Sequence, residues 1–210
     1  MLTIESAREW YSAKDPVHGF DHMVRVYRMA ERLALAEGAD LEIVRAAALL
    51  HDANPPGSDD LRENHHHASA LFAQQILEAE GWATERAQAV QHCIRAHRFR
   101  DNHETPQTLE AKVLFDADKL DAIGAIGVAR AIGYALSAGQ PFYSPPSERF
   151  QENGQLGPTE SHSAYHEYFY KLRWLKDRLF TASGRVLAEQ RHSFMQLFFE
   201  QLVTELHGER

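Results

Sequence analysis

The chain has 210 residues, 44% of them hydrophobic, which is enough apolar material for one well-formed core. Its formal charge of −8 works against DNA or RNA as the main partner, because a polyanion is held by concentrated Lys and Arg; a small phosphate ester needs only local positive charge or a metal. The single cysteine, Cys93, rules out an intramolecular disulfide and a multi-thiolate zinc site, and reads as a small buried hydrophobe.

The opening stretch MLTIESAREWYSAKD carries acidic residues and lacks the apolar stretch of a signal peptide. No apolar run approaches the roughly 18 residues that span a bilayer, so no membrane partner is expected and the expected location is the cytoplasm. Asp21 is positioned to cap a helix over about 21–37, which Gly38 ends. Its apolar stripe is Val26, Met29, Ala30 and Leu33, with His22 at the head and Arg25 one turn later. Asp40 caps the next helix, about 41–52, with the stripe Ile43, Ala47 and Leu50. This helix runs straight into LLHDANPPG, where Pro55 takes Asn54 out of the α region and the helix closes around Asp52. His51 and Asp52 then either face water at a solvated helix end or form part of a site.

After the polar loop NPPGSDDLREN, helices are expected at about 66–80 and 83–97. A loop near 100–107 leads to LEAKVLFDADKLDAIGAIGVARAIGYAL, a helix expected to break near Ile123-Gly124. The segment from about 137 to 160 has the Pro, Gly and Ser content of a long surface loop, either a substrate-facing lid or a plain connection. Two long amphipathic helices follow at 161–181 and 184–206. The second carries the stripe Phe194, Leu197, Phe198, Gln201, Leu202 and Glu205. No strand alternation and no repeat is visible, so the reading is one all-α domain over 1–210: a compact multi-helix bundle with a core of about 18–125 and C-terminal helices of about 160–206 packed on it.

Three of these helices offer metal-type ligands: His22, the His51-Asp52 pair, and FDADKLDA with Asp116, Asp118 and Asp121. Asp118 and Asp121 share a helix face at i, i+3, while Asp116 points away. Two carboxylates about 4 Å apart repel by roughly 4 kcal/mol at an effective dielectric of 20, so such a cluster stays ionised only beside a cation or strong donors. Two His and two Asp suit Mn²⁺, Fe²⁺, Zn²⁺, Ni²⁺ or Co²⁺ better than Ca²⁺.

The ordered set HMVRV, LLHDA and DADKLDA resembles the HD-domain superfamily of metal-dependent phosphohydrolases. The strings VHGFDHMVRV, AALLHDA, LEAKVLFDADKLDAIGAIGVAR and LFTASGRVLAEQRHSFMQLFFEQLVTE extend the likeness over nearly the whole chain, toward small stand-alone bacterial HD hydrolases. The resemblance implies His22, His51, Asp52 and Asp118 as ligands of one divalent metal, Mn²⁺ first, with Fe, Ni, Co, Zn or Mg as alternatives. It implies attack of metal-activated water on a phosphate ester or anhydride, with His51, Asp52 and Lys119 in the catalytic set. Small nucleotides are the implied substrates, including release of pyrophosphate from nucleoside triphosphates. Some relatives bind a second metal through further histidines, and His67 and His97 are the positions for that role or for a phosphate contact; His65 and His66 read as solvated loop residues. Relatives often carry His-Asp where this chain has His18-Gly19, which leaves His18 either lining the pocket or making a helix-entry contact. Arg25 and Lys119 supply local positive charge, and Arg95, Arg98 and Arg100 either join them or form surface salt bridges. Asp121 is expected as a structural partner rather than a ligand. The competing readings are a nucleoside monophosphate phosphomonoesterase and a low-turnover nucleotide- or metal-binding regulatory module, as monomer or homodimer.

Overall fold

The computed structural model describes residues 2–11, 19–54, 65–98 and 104–209. Among these residues there are ten α-helices and no strand. They are α1 (Ile4–Ala7), α2 (Phe20–Glu37), α3 (Leu41–Leu50), α4 (His65–Ala79), α5 (Thr84–Ala96), α6 (Leu109–Asp121), α7 (Gly124–Ser137), α8 (Glu148–Asn153), α9 (Ala164–Tyr170) and α10 (Ala182–Leu206). Two 3₁₀ turns, Arg8–Trp10 and Leu172–Arg178, complete the order. The all-α expectation holds. No single helix among the described residues is long and apolar enough to cross a membrane.

The chain forms two compact units, divided within α6: Met1–Asp118 with Phe180–Gly184, and Lys119–Leu179 with Arg185–Arg210. In the first unit α3 packs against both α2 and α5, and α5 also against α4. The buried faces follow the helical period: Met23, Val26, Ala30 and Leu33 on α2, Val44, Ala47 and Ala48 on α3, Ala70, Ala73 and Leu77 on α4, and Val90 and Ile94 on α5. The Asp40 carboxylate accepts the N–H groups of Glu42 and Ile43, and Gly38 ends α2 in the left-handed region at φ 76°. Gly19, not Asp21, is the N-cap of α2; Asp21 lies in its first turn, where its charge still suits the positive end of the helix dipole. Asp116, fully buried, accepts from Phe180 N–H, Thr181 N–H and the Thr181 hydroxyl at 2.9, 2.7 and 2.6 Å, which ties the start of α10 to α6.

In the second unit the expected break falls at Ile123-Gly124, where Gly124 takes φ +75°. A Cβ at Gly127 would lie 2.3 Å from the Ala122 carbonyl oxygen, so only glycine fits that turn. The segment expected to be one loop contains α8, capped by Ser147 and ended by left-handed Gly154. Glu160 fixes this stretch. Its carboxylate accepts from the Ser147 hydroxyl and N–H and from Gly157 N–H, contacts His166 Nε2, and is held down to about 2 by those bonds. The long helix expected over 161–181 is corrected: Ser163 caps a short α9, the backbone leaves helical geometry at Lys171, and the chain continues as a 3₁₀ turn. The expected stripe of α10 is also corrected. Ala188, Met195 and Phe199 are the buried face, Phe199 stacking on Tyr168 at 4.3 Å, whereas Phe194 and Leu197 are exposed.

Candidate metal centre

Five of the elements of the first unit each deliver a polar side chain to one point. His22 sits in the first turn of α2 and is buried. His51 is the C-cap residue of α3, and His97 holds the same position on α5. His65 opens α4, and Asp118 lies on α6. Asp52, in the turn after His51, is at the centre.

The histidine tautomers follow from the helix ends. The last carbonyls of a helix have no intrahelical partner. His51 Nδ1 takes the Ala48 carbonyl at 2.9 Å, and His97 Nδ1 takes the Ile94 carbonyl at 2.5 Å. With Nδ1–H donating, an imidazole in its neutral form offers an Nε2 lone pair. Burial pushes His51 down to about 4, so this ring is neutral at pH 7.

These Nε2 atoms converge on oxygen. His51 Nε2 lies 3.4 Å from His22 Nε2 and 3.5 Å from Asp52 Oδ2. His22 Nε2 lies 3.7 Å from Asp52 Oδ2 and 3.3 Å from Asp118 Oδ1. On the other side of the carboxylate, His65 Nε2 and His97 Nε2 lie 3.3 and 3.4 Å from Asp52 Oδ1. Burial raises the Asp52 pKa, and protons carried by the surrounding His51, His65 and His97 rings lower it well below the usual carboxylate range; with those rings neutral, another positive charge has to keep Asp52 ionised.

This donor set fits a divalent ion. Asp52 Oδ1 is buried and makes no hydrogen bond. Lone pairs of His51 and His97 facing a carboxylate repel one another unless positive charge lies among them. Ligands about 2.1 Å from a common ion are separated by about 3.0–3.4 Å in octahedral or tetrahedral shells, close to the spacings above. Two groups satisfy the geometry, His22–His51–Asp52 and Asp52–His65–His97, and they share Asp52, one oxygen toward each.

The structure thus brings His22, His51, Asp52 and Asp118 together, with His97 beside them. His65 and His66 are not solvated loop residues. His65 faces Asp52, and His66 is buried, its Nδ1 3.3 Å from Arg98 Nη1. Nothing in the run HHH singles out His65, because all three precede the first apolar residue of the α4 stripe. His67 is exposed, its ring 4.1 Å from that of His66. Arg25 is half-buried on the next turn of α2. Lys119 is buried but falls in the second unit. Arg95 pairs with Glu104, and Asp121 with Arg130. His18 and Arg100 lie outside the described residues, as do Pro55 and Pro56.

Residues 19–123 match the family model of the HD domain. Bacillus subtilis YpgQ is 34% identical over 212 residues, covering 97% of this chain and 94% of that protein. The crystal structure of YpgQ in complex with ADP superposes with a TM-score of 0.74 at 33% identity, over 99% of this chain and 100% of the other. An HD-superfamily hydrolase from Bacillus thuringiensis gives 0.71 at 30% identity, over 97% and 96%.

Proposed function

The chain belongs to the HD-domain family, and on that premise we propose that it is a metal-dependent phosphohydrolase acting on a small nucleotide. The observation that carries the reading is the Asp52 carboxylate, without a hydrogen bond on Oδ1 and flanked by four imidazoles. In this reading His22, His51, Asp52 and Asp118 hold the ion, Mn²⁺ first among the candidates. When bound, such an ion acidifies water and supplies Lewis-acid charge to a phosphoryl oxygen.

The protein's own groups do the rest. The Ala48 and Ile94 carbonyls keep His51 and His97 in the tautomer that presents Nε2 inward. Asp52 Oδ1 and Nε2 of His65 and His97 form a second set of bases, able to hold a proton beside the reacting phosphate or to take a second ion. Arg98, 3.3 Å from His66, adds positive charge at the end of the same helix as His97. Arg25, one turn after His22 on α2, is assigned as a further contact to substrate. A nucleotide substrate is supported by the ADP complex of YpgQ.

The test is hydrolysis of a nucleoside triphosphate panel with added Mn²⁺, measuring orthophosphate and pyrophosphate separately, beside Asp52→Ala. Pyrophosphate release that disappears in the variant supports a pyrophosphohydrolase. Orthophosphate from monophosphates alone would favour a phosphomonoesterase, and no product from any nucleotide would refute the enzyme reading.

A further inference from the structure

The turn that carries His51 and Asp52 is held from outside the segment matched by the HD-domain model. The end of α3 leaves three successive carbonyls to satisfy. The His51 ring takes Ala48 O, Ala53 N–H takes Leu50 O at 3.2 Å, and the buried Tyr11 hydroxyl donates to Leu49 O at 2.9 Å. One residue earlier, Trp10 O accepts from Asn54 N–H at 3.1 Å, so the chain before α2 holds both sides of the turn. That chain is itself seated: Ala7 is fully buried, Tyr11 meets Phe20 edge-on at 6.5 Å, and Trp10 meets Phe72 edge-on at 5.7 Å.

We propose that Tyr11 is a positioning residue for the metal centre, setting through Leu49 O, with Trp10 O on Asn54 N–H behind it, the direction in which His51 Nε2 and the Asp52 carboxylate face. The proposal rests on the reading of these two side chains as metal ligands. Tyr11 touches neither substrate nor ion. Its hydroxyl takes the place at Leu49 O that the Ala53 N–H would take if α3 continued, while Ala53 N–H turns back to Leu50 O and the chain leaves the helix at His51. Without the hydroxyl, the Leu49 carbonyl loses its buried partner, and the turn relaxes toward other arrangements.

The experiment titrates the metal-free full-length protein with Co²⁺, following visible absorption, for wild type, Tyr11→Phe and Leu77→Val. The last variant trims a buried side chain at the far end of α4 and reports what general loosening does. The expected result is about tenfold weaker Co²⁺ binding and an altered absorption envelope in Tyr11→Phe, the scale seen when a group supporting a metal ligand is removed, with wild-type binding in Leu77→Val. Wild-type affinity and spectrum in Tyr11→Phe overturn the proposal while leaving the metal site standing, and equal weakening in both variants overturns it as well. If wild type takes up no Co²⁺, the reading beneath it fails too. Should Tyr11→Phe not fold, Phe72→Leu, which loosens the seat of Trp10, carries the test: weaker Co²⁺ binding supports the proposal and unchanged binding refutes it.

Discussion

Acidification should weaken the metal-free protein through His51 before most carboxylates titrate. The ring is fully buried, its Nδ1–H already committed to Ala48 O, and its Nε2 set 3.4 Å from His22 Nε2. Burial lowers its pKa from 6.5 to about 4 in the folded state. Between those values the unfolded chain takes up a proton that the folded chain refuses. The stability tied to a neutral His51 is therefore intact above pH 6.5 and is lost as pH falls toward 4. At pH 5, which is 1.5 units below the unfolded value, the loss is about 2 kcal/mol at about 1.4 kcal/mol per unit. For a chain of this length that corresponds to roughly 4–8 °C in melting temperature. Thermal melts in chelator at pH 7.5 and pH 5, for wild type and His51→Gln, measure it. The variant starts less stable but should lose about 2 kcal/mol less over the interval, on the same bookkeeping. Parallel pH dependences in the two proteins would refute the assignment of a buried neutral imidazole.

Metal should stabilise the folded protein: at a Mn²⁺ concentration 100 times Kd the gain is about 2.7 kcal/mol, read as a melting shift that chelator reverses and Asp52→Asn abolishes. Asp118→Ala should remove at least two orders of magnitude of nucleotide hydrolysis while far-UV circular dichroism stays that of wild type; full activity would remove Asp118 from the ligand set. Asp116→Ala, by contrast, acts on stability. It strands Phe180 N–H, Thr181 N–H and the Thr181 hydroxyl and should cost about 2–4 kcal/mol in urea unfolding. Gly127→Ala drives a methyl to 2.3 Å from the Ala122 carbonyl and 2.8 Å from Met195 Cε, and should cost about 3 kcal/mol or more by the same measurement.

Local chemistry made much of this protein legible in its sequence. Gly38 and Asp40 mark the end of one helix and the start of the next because a left-handed backbone and an N-cap oxygen are needed at those points. The break at Ile123-Gly124 follows from the same freedom of glycine. The types of ligand, imidazole and carboxylate at helix ends, could also be read, and with them the resemblance to the HD family. Other features depended on contacts between distant residues. In α10 apolar residues occur on both faces, so periodicity alone did not select Met195 and Phe199 over Phe194 and Leu197; packing against Tyr168 did. The helix expected over 161–181 gave way to a short α9 and a 3₁₀ turn because Ser163 caps a new start and because Phe180 and Thr181 donate to Asp116, 64 and 65 residues away. His65 looked no different from His67 in the run HHH; only the direction of α4 turns one ring toward Asp52 and the other outward. Tyr11 carries no motif, and its link to Leu49 spans 38 residues. Periodicity and capping act over a few residues, whereas the convergence of Nε2 atoms from four helices on one carboxylate is fixed only when those helices pack.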